Sequence, residues 1–239
     1  MPTTASDIIV LYQGGRLPSW HQLSPAQHED YQQQHVDLML DIAHRHRLLG
    51  LEGFKLLAPQ DSYERFWSIA FPDLAGAQAW IEAEMAPPYG TYGYYQYHLA
   101  LRLPDEPLHR APPPIAPNPA ADPRQVPALE VDGSSHIVLL FERWLPETLS
   151  LSPVERGDPQ RLEQLQDVSQ QYKQIRCETF QLIAPQAAWH RVLIAEFPTQ
   201  AGVQAWIDVF EQPAHKTLAS RTFQLAQKWA PAYFATWLP

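Results

Sequence analysis

The chain has 239 residues, 45% of them hydrophobic and 11% aromatic, which allows one large domain or two small ones and excludes a disordered chain. Its formal net charge of −9 argues against a nucleic-acid partner, because phosphate binding needs a clustered positive surface. No stretch approaches the roughly 20 apolar residues of a membrane span, and the N-terminus has no basic region before its short apolar run, so neither a membrane partner nor a secretion signal is expected.

The first hundred residues predict four strands and two helices. Runs of β-branched and aromatic side chains predict the strands, while Ser24 and Asp73 are placed to cap the helices and Pro87 to stop the second one. In chain order the prediction is a strand at 8–12, a helix from 25 to about 48, strands at 54–57 and 66–71, a helix after 73, and a strand at 94–103. This βαββαβ order is the ferredoxin-like arrangement, an α+β fold with both helices on one face of a four-stranded antiparallel sheet.

The same order occurs twice in the chain. Residues 53–81 and 179–207 are identical at 14 of 29 positions when shifted by 126, and residues 8–18 align with 136–146 at a shift of 128. Nine prolines between 104 and 127 exclude helix or central strand there and predict an extended spacer. The predicted domains are a first ferredoxin-like module at 1–103, a Pro-rich linker at 104–133 and a second ferredoxin-like module at 134–239.

A single module of this type leaves one sheet face uncovered, and that face needs a partner. The second copy can supply it, so we expect residues 5–103 and 134–230 to superpose and their sheets to face each other across a pseudo-twofold axis. The prediction is therefore two tandem ferredoxin-like modules that form a pseudo-dimeric α/β barrel within one chain. Such a chain is a monomer completing its own barrel, or it forms a further homodimer.

A short stretch of the second copy carries a family resemblance. Glu196-Phe197-Pro198, followed by Ala205-Trp206, resembles the strand-to-helix stretch of the dimeric α/β-barrel (ferredoxin-like) superfamily, with its antibiotic-biosynthesis monooxygenases and EthD-like proteins. The first copy's LYQGGRLPSWHQLSP is similar to the start of an uncharacterised barrel family. The resemblance implies the fold over some 200 residues. Its members include oxygenases, isomerases, haem enzymes and binding proteins, so it implies no single reaction.

The first helix of copy one carries a histidine where copy two is apolar. His35 lies mid-helix on an arc with Tyr31, whereas the matching arc of copy two has Leu, Val, Tyr and Ile. His28 and His46, near the helix ends, are expected to be solvated. Because the fold does not require His35, we predict a functional pocket in copy one, between its first helix and its sheet, lined by His35 and Tyr97.

The fourth strand of copy one and the third strand of copy two add further candidates. Strand alternation puts Tyr97 on the helix side and His98 on the opposite face, where Glu196 of copy two forms an acid–base pair with it if it has the same orientation. The alternative is a hydrogen-bonded core between the sheets. The predicted catalytic residues are His35, His98 and Glu196, and the predicted ligand-binding residues are Tyr31, Trp67, Tyr94, Tyr97 and Gln224.

The sequence has no recognised cofactor motif. There is no phosphate-cradling glycine loop, no nucleophile elbow and no zinc signature. Haem-degrading members of the superfamily carry a histidine on the helix after the third strand, and neither Leu74–Met85 nor Gln200–Glu211 contains one. We therefore expect no cofactor and no metal.

Two functions remain open at this point. One is a cytoplasmic enzyme that acts without metal or nucleotide on an apolar aromatic or polyketide-like substrate by His, Tyr and Glu acid–base chemistry, as a cofactor-independent monooxygenase, cyclase or isomerase. The other is a protein that binds a small molecule, or acts as a scaffold, without catalysis. The single cysteine, Cys177, favours a reducing compartment for either.

Overall fold

A computed structural model describes most of the chain and divides it into two compact units. The described residues are 7–58, 63–113, 131, 133–151, 158–183, 189–216, 218–232 and 234. The first unit comprises residues 1–101, 115–132 and 228–239, and the second unit comprises 102–114 and 133–227. The predicted linker lies outside the described residues at 114–130 and 132, whereas 104–113 belongs to the second unit.

The first unit has the predicted βαββαβ order. Its elements are β1 (Ile8–Arg16), α1 (Pro25–Arg45), β2 (Gly50–Leu56), β3 (Arg65–Phe71), α2 (Leu74–Met85) and β4 (Gly93–Arg102). The strands pair in the antiparallel order β4-β1-β3-β2. Ser24 begins α1 with a capping box: its side chain accepts from the backbone N–H of Gln27, and the Gln27 side chain accepts from the backbone N–H of Ser24.

The second unit repeats this order with a shorter first helix. Its elements are β5 (His136–Trp144), α3 (Pro159–Gln171), β6 (Arg176–Leu182), β7 (Arg191–Phe197), α4 (Gln200–Glu211) and β8 (Ala219–Lys228), with short helices at Pro146–Leu149 and Pro213–Lys216. The sheet order β8-β5-β7-β6 repeats that of the first unit. Helix α3 has 13 residues and α1 has 21, which accounts for the change of offset between the two copies.

In both units the helices cover one face of the sheet and bury an apolar core. Trp80 and Trp206, at equivalent positions on α2 and α4, are almost completely buried. Each core also includes a residue from a segment that follows a last strand: Phe234 belongs to the core of the first unit, and Leu108 packs against the core of the second. No helix in the described part of the chain is long and apolar enough to cross a membrane.

The twice-occurring stretch holds a glycine against an aromatic ring. A Cβ atom added at Gly76 would lie 2.6 Å from Phe71 Cδ1, and one added at Gly202 would lie 2.7 Å from Phe197 Cδ1. Both phenylalanines are fully buried, so neither ring can move away at low cost. The Phe-Pro-x-x-Ala-Gly pattern therefore records the close packing of a helix start on the end of a strand.

Replacing either glycine by alanine tests this packing. We expect Gly76→Ala and Gly202→Ala each to lower the free energy of unfolding by about 1–3 kcal/mol, because overpacking outweighs the roughly 0.5–1 kcal/mol that alanine gains over glycine in a helix. Gly50→Ala is the control, since its Cβ would meet Ala70 Cβ at an ordinary 3.7 Å. Urea unfolding followed by circular dichroism measures the change; unaltered midpoints for both helix variants would contradict the packing explanation.

Candidate functional site

The second unit contains a cavity of about 570 Å³ between its helices and its sheet. Side chains of α3, α4, β6 and β7 form its walls, and the segment 103–108 closes one side. The lining residues are Leu103, Pro104, Asp105, Glu106, Pro107, Leu108, Trp144, Pro159, Arg161, Leu162, Leu165, Thr179, Gln181, Arg191, Leu193 and Phe210. A volume of this size is within the range of small-molecule sites, roughly 300–1,000 Å³.

Three guanidinium groups gather at one end of the cavity around a single carboxylate. Arg191 Nε and Arg221 Nε each donate to a different oxygen of Glu142, the latter at 2.8 Å. Burial alone would raise the pKa of Glu142, but the charges of Arg191, Arg221 and Arg161 together lower it to about 2. Glu142 is therefore an anion at neutral pH, and the cluster has more positive than negative charge at its centre.

Two of these arginines also line the cavity. Arg161 is 4% exposed and lies on α3 with its guanidinium 5.6 Å from the ring of Phe210, and Arg191 lies on β7 beside Trp144. Glu106, from the covering segment, brings its Oε1 within 3.8 Å of Arg191 Nη1 and keeps 35% of its side chain exposed. The cavity therefore combines apolar walls with buried cations, an arrangement that suits an anionic group on an apolar body.

A histidine holds the start of the helix that carries Arg161. Asp158 is the N-cap of α3, where its side chain accepts from the backbone N–H of Arg161, and it has a left-handed φ of 48°. His215 pairs with Asp158 Oδ2 through Nδ1 at 2.5 Å and with Gln164 Oε1 through Nε2 at 3.1 Å. Its backbone carbonyl also accepts from Arg221 Nη1 at 2.8 Å. His215 thus ties the helix start to the arginine cluster.

The covering segment is fixed by pairing with the sheet. Leu103 donates its backbone N–H to Thr179 O at 2.9 Å, and Arg110 forms an antiparallel bridge with Cys177. The residues between them span the mouth of the cavity. Burial raises the pKa of the Cys177 thiol to about 12, so this side chain is an apolar part of the core, as the sequence predicted.

The equivalent cleft of the first unit is almost closed, with a remaining volume of about 20 Å³. His35 Nε2 lies 3.2 Å from Glu84 Oε1, and both side chains are at least nine-tenths buried. Beside them Arg65 Nε donates to the Tyr12 hydroxyl at 3.0 Å. Burial opposes the charge of Glu84, but His35, Arg65 and Arg16 keep its pKa below the usual value. Phe234 fills the remaining space.

The internal repeat relates the two clefts residue by residue. At a shift of 126, His35 corresponds to Arg161, Arg65 to Arg191, Trp67 to Leu193, Glu84 to Phe210, and Phe234 to Leu108. The arginine on the third strand is thus common to both copies. The helix positions exchange their chemistry, since one copy has an imidazole and a carboxylate and the other a guanidinium and a phenyl ring.

The structure brings together some of the predicted site residues of copy one. His35 and Trp67 line its small cleft, and Tyr97 packs against the same core, stacked on Tyr12 with ring centroids 5.2 Å apart. Burial and then the Glu84 carboxylate raise the pKa of Tyr97. Tyr31 lies elsewhere, against Tyr92 at 5.4 Å.

The remaining predicted residues lie on the sheet faces opposite the helices. His98 and Tyr94 alternate with Tyr95 and Tyr97, which pack on the helix side of the first unit, and burial lowers the pKa of His98. In the second unit Ala195 and Phe197 pack towards the helices, which puts Glu196 on the other face, and Gln224 is placed likewise between Phe223 and Leu225. The acid–base pairing of His98 with Glu196 stays a prediction.

The location of the main cavity corrects the sequence-based prediction. We expected the pocket in copy one because His35 interrupts an apolar stripe, but Glu84 and Phe234 occupy the space around it, and the open cavity belongs to copy two. Sequence reasoning missed Arg161, Arg191 and Glu142. The internal alignment contained a signal for them: Arg161 replaces His35, and Glu142 replaces Gly14 at a shift of 128 beside an arginine present in both copies.

Comparisons with known proteins support the fold. No family model and no curated protein matches the sequence. A single-site variant of chlorite dismutase from Candidatus Nitrospira defluvii matches with a TM-score of 0.67 at 11% identity, covering 95% of this chain and 93% of that one. The same enzyme in complex with imidazole gives 0.66 at 10% identity (98% and 94% covered), and a variant in complex with cyanide gives 0.68 at 10% (98% and 95%).

These likenesses confirm the predicted fold class and contradict the predicted function. Chlorite dismutases belong to the dimeric α+β barrel (ferredoxin-like) superfamily, so the chain has the fold that the sequence predicted. They are also haem-dependent, which overturns the prediction of an enzyme that acts without a metal. The matches are chlorite dismutases rather than antibiotic-biosynthesis monooxygenases or EthD-like proteins.

The described cavity lining does not fit a haem held through its iron. Protein ligands of haem iron are His, Cys, Met or Tyr, and none of these is among the described residues that line the cavity. His215 is close in sequence to this region, but both of its ring nitrogens are bonded to Asp158 and Gln164. Nowhere in the described ranges do three His, Cys, Asp or Glu side chains gather as metal ligands. The arginines, by contrast, suit the carboxylates of such a molecule.

Acid titration tests the charge cluster. Because the pKa of Glu142 is about 2 in the folded chain and about 4.3 in an unfolded one, its charge stabilises the fold above about pH 4.5, and this contribution disappears as the pH falls towards 2. Glu142→Gln is therefore expected to be less stable than the unaltered chain by on the order of 3 kcal/mol at pH 6, with the difference shrinking below pH 4. Urea unfolding at a series of pH values measures it; a difference independent of pH would contradict the assignment.

Proposed function

We propose that the second unit binds a carboxylated tetrapyrrole of the haem class in its cavity, with the apolar ring system between the helices and the sheet and a carboxylate at Arg161 and Arg191. The single observation that carries the proposal is the guanidinium cluster around Glu142 at one end of a cavity of about 570 Å³. The fold shared with haem-dependent proteins supports the same ligand class.

The walls of the cavity suit a broad apolar molecule. Leu162, Leu165 and Leu193 contribute branched aliphatic surface, and Trp144 and Phe210 contribute aromatic surface. An apolar ring system that replaces water here gains roughly 25 cal/mol for each Å² of apolar surface buried. The segment 103–108 covers the remaining side, so a ligand enters only if this segment moves or leaves an edge open.

The charges suit the carboxylates of the ligand. A guanidinium binds a carboxylate with two parallel hydrogen bonds, and such bonds strengthen when water is excluded. Arg191 already bonds Glu142, so it is held in place before the ligand arrives. Glu106, half-exposed and near Arg191, is the side chain that an incoming carboxylate would displace.

Binding through carboxylates separates this proposal from a conventional haem protein. When bound, a haem supplies redox and ligand-binding chemistry at its iron, but the described lining has no side chain to ligate that iron. In this proposal the chain's own residues bind and orient the ligand and exclude water around it. A metal-free tetrapyrrole with the same carboxylates should then bind about as well as haem.

Three finer expectations stay predictions. The cytoplasmic location rests on the single cysteine, Cys177. The resemblance to antibiotic-biosynthesis monooxygenases and EthD-like proteins rests on the stretch around Glu196-Phe197-Pro198. The choice between a monomer and a homodimer awaits measurement in solution.

Metal-free protoporphyrin and its dimethyl ester test the proposal with the full chain. We expect protoporphyrin to quench tryptophan fluorescence saturably, and Arg161→Gln to weaken its binding about tenfold or more, because a charge-assisted hydrogen bond is worth about 1.5–3 kcal/mol. The ester, which has no carboxylate, should bind the unaltered chain no better than the acid binds the variant. Arg45→Gln is the matched control, since Arg45 lies on the exposed face of α1 and pairs with Asp41.

The outcome with haem decides how the ligand is held. Equal affinities for haem and protoporphyrin would support binding through carboxylates. A much higher affinity for haem, with a shifted Soret band, would show that a side chain of the protein ligates the iron. Equal binding of protoporphyrin by the unaltered chain and by Arg161→Gln would overturn the proposal.

A further inference from the structure

The structure assigns a second ligand site to the first unit: we propose that its helix–sheet cleft binds a planar aromatic molecule with a hydroxyl group, in the place that the ring of Phe234 occupies here. The site is separate from the cavity of the second unit and does not depend on the function proposed for that cavity. Its residues are His35, Glu84, Trp67 and Arg65, with Phe234 as the occupant to be displaced.

The first observation is the equivalence of the two clefts. The walls come from corresponding helices and strands, and the arginine of the third strand is present in both. One cleft is open and the other holds an aromatic side chain. The difference lies in the occupant and in the residues that contact it, not in the surrounding elements.

The second observation is how Phe234 is held. Its ring lies nearly parallel to the imidazole of His35, with centroids 6.1 Å apart and an interplanar angle of 28°, and it meets Trp67 edge-on at 5.9 Å and 81°. These are the arrangements that aromatic ligands adopt in aromatic-walled sites. A flat ring of similar size would keep both contacts.

The third observation is the polar end of the cleft. His35 and Glu84 are both buried and lie 3.2 Å apart, and together with Arg65 and Tyr12 they border the gap of about 20 Å³ that Phe234 leaves unfilled. A phenyl ring offers no hydrogen bond there, whereas a hydroxyl group both donates and accepts. The second copy, which has Phe210 in place of Glu84, shows that the fold does not require these polar residues.

The fourth observation is that the occupant belongs to a segment with few backbone contacts to the rest of the unit. Between residues 229 and 234, Trp229 donates to Gly53 O at 2.8 Å, while Phe234 donates to Pro231 O within the segment itself. The neighbouring strands are held by ladders of paired residues. A ligand that takes the place of the ring must therefore open a short segment and no part of the sheet.

Phenol and toluene test the chemistry of the site, because they match in shape and differ in one polar group. We expect Phe234→Ala to bind phenol about tenfold more tightly than toluene, measured by calorimetry, and Phe234→Ala with His35→Leu to lose that preference. Leu108→Ala, the equivalent change in the second unit, is the control and should show no preference for phenol. Should Phe234→Ala fail to fold, Phe234→Leu introduces the residue type that the second copy has at 108.

Hydrogen exchange then tests displacement in the unaltered chain. At phenol concentrations that saturate Phe234→Ala, the amides of Phe234 and Trp229 should exchange at least about tenfold faster than without phenol, while the amides of β1 and β3 keep their rates. Toluene at the same concentration should have a smaller effect. Equal affinities of Phe234→Ala for phenol and toluene would show an ordinary core cavity, and unchanged exchange at Phe234 in the unaltered chain would show a permanent core residue; either result overturns the proposal.

Discussion

Each module has a wedge between its two helices and its sheet, and the need to fill that wedge governs the rest of the structure. Helices that cross a twisted sheet cannot contact it along their whole length, and protein interiors tolerate few voids. In both units a segment beyond a last strand lies at the wedge, 103–108 in the second and 231–234 in the first. The sizes of a few side chains then decide whether the wedge is a cavity or a closed core.

The two units differ in which of these side chains are large. In the first unit Trp67 and Phe234 project into the wedge, and their counterparts in the second are the smaller Leu193 and Leu108. Two aromatic-to-leucine differences remove a large part of the filling volume at once. The resulting space remains open in the second unit because the polar groups at its end, Arg161 and Arg191, are held in a charged network and cannot collapse into it.

The fold could be predicted from the sequence, because its determinants are local. The β-rich runs, Ser24 and Asp73 as helix caps, and the repeated Phe-Pro-x-x-Ala-Gly stretch each act within a few residues, and all of them agree in both copies. Strand ends were less well predicted, as for β1, which continues to Arg16 because its backbone pairs with β4 beyond the apolar run.

The site could be predicted only in part, because its determinants are distant in the sequence. His35 was identified from a break in an apolar stripe, but its partner Glu84 lies 49 residues away on another helix. A buried imidazole next to a carboxylate is a satisfied pair, whereas the same imidazole without one is an argument for a ligand. Nothing in the periodicity of α1 distinguishes these cases, and the volume of a cleft depends on side chains from four elements at once.

The exchange of residues between the copies shows how one duplicated module can support two kinds of site. Position 35 and position 84 contact each other across two helices, and so do 161 and 210. A histidine facing a phenyl ring, or an arginine facing a second arginine, would leave a polar group or a charge without compensation in the interior. The pair therefore has to change together: His35 with Glu84 gives a neutralised pair that tolerates a closed core, and Arg161 with Phe210 gives a cation that needs an anion nearby. Glu142 supplies part of that need in the second unit, and Gly14 at the corresponding place in the first supplies none. The charge that remains is what makes the second cleft, and not the first, selective for an anionic ligand.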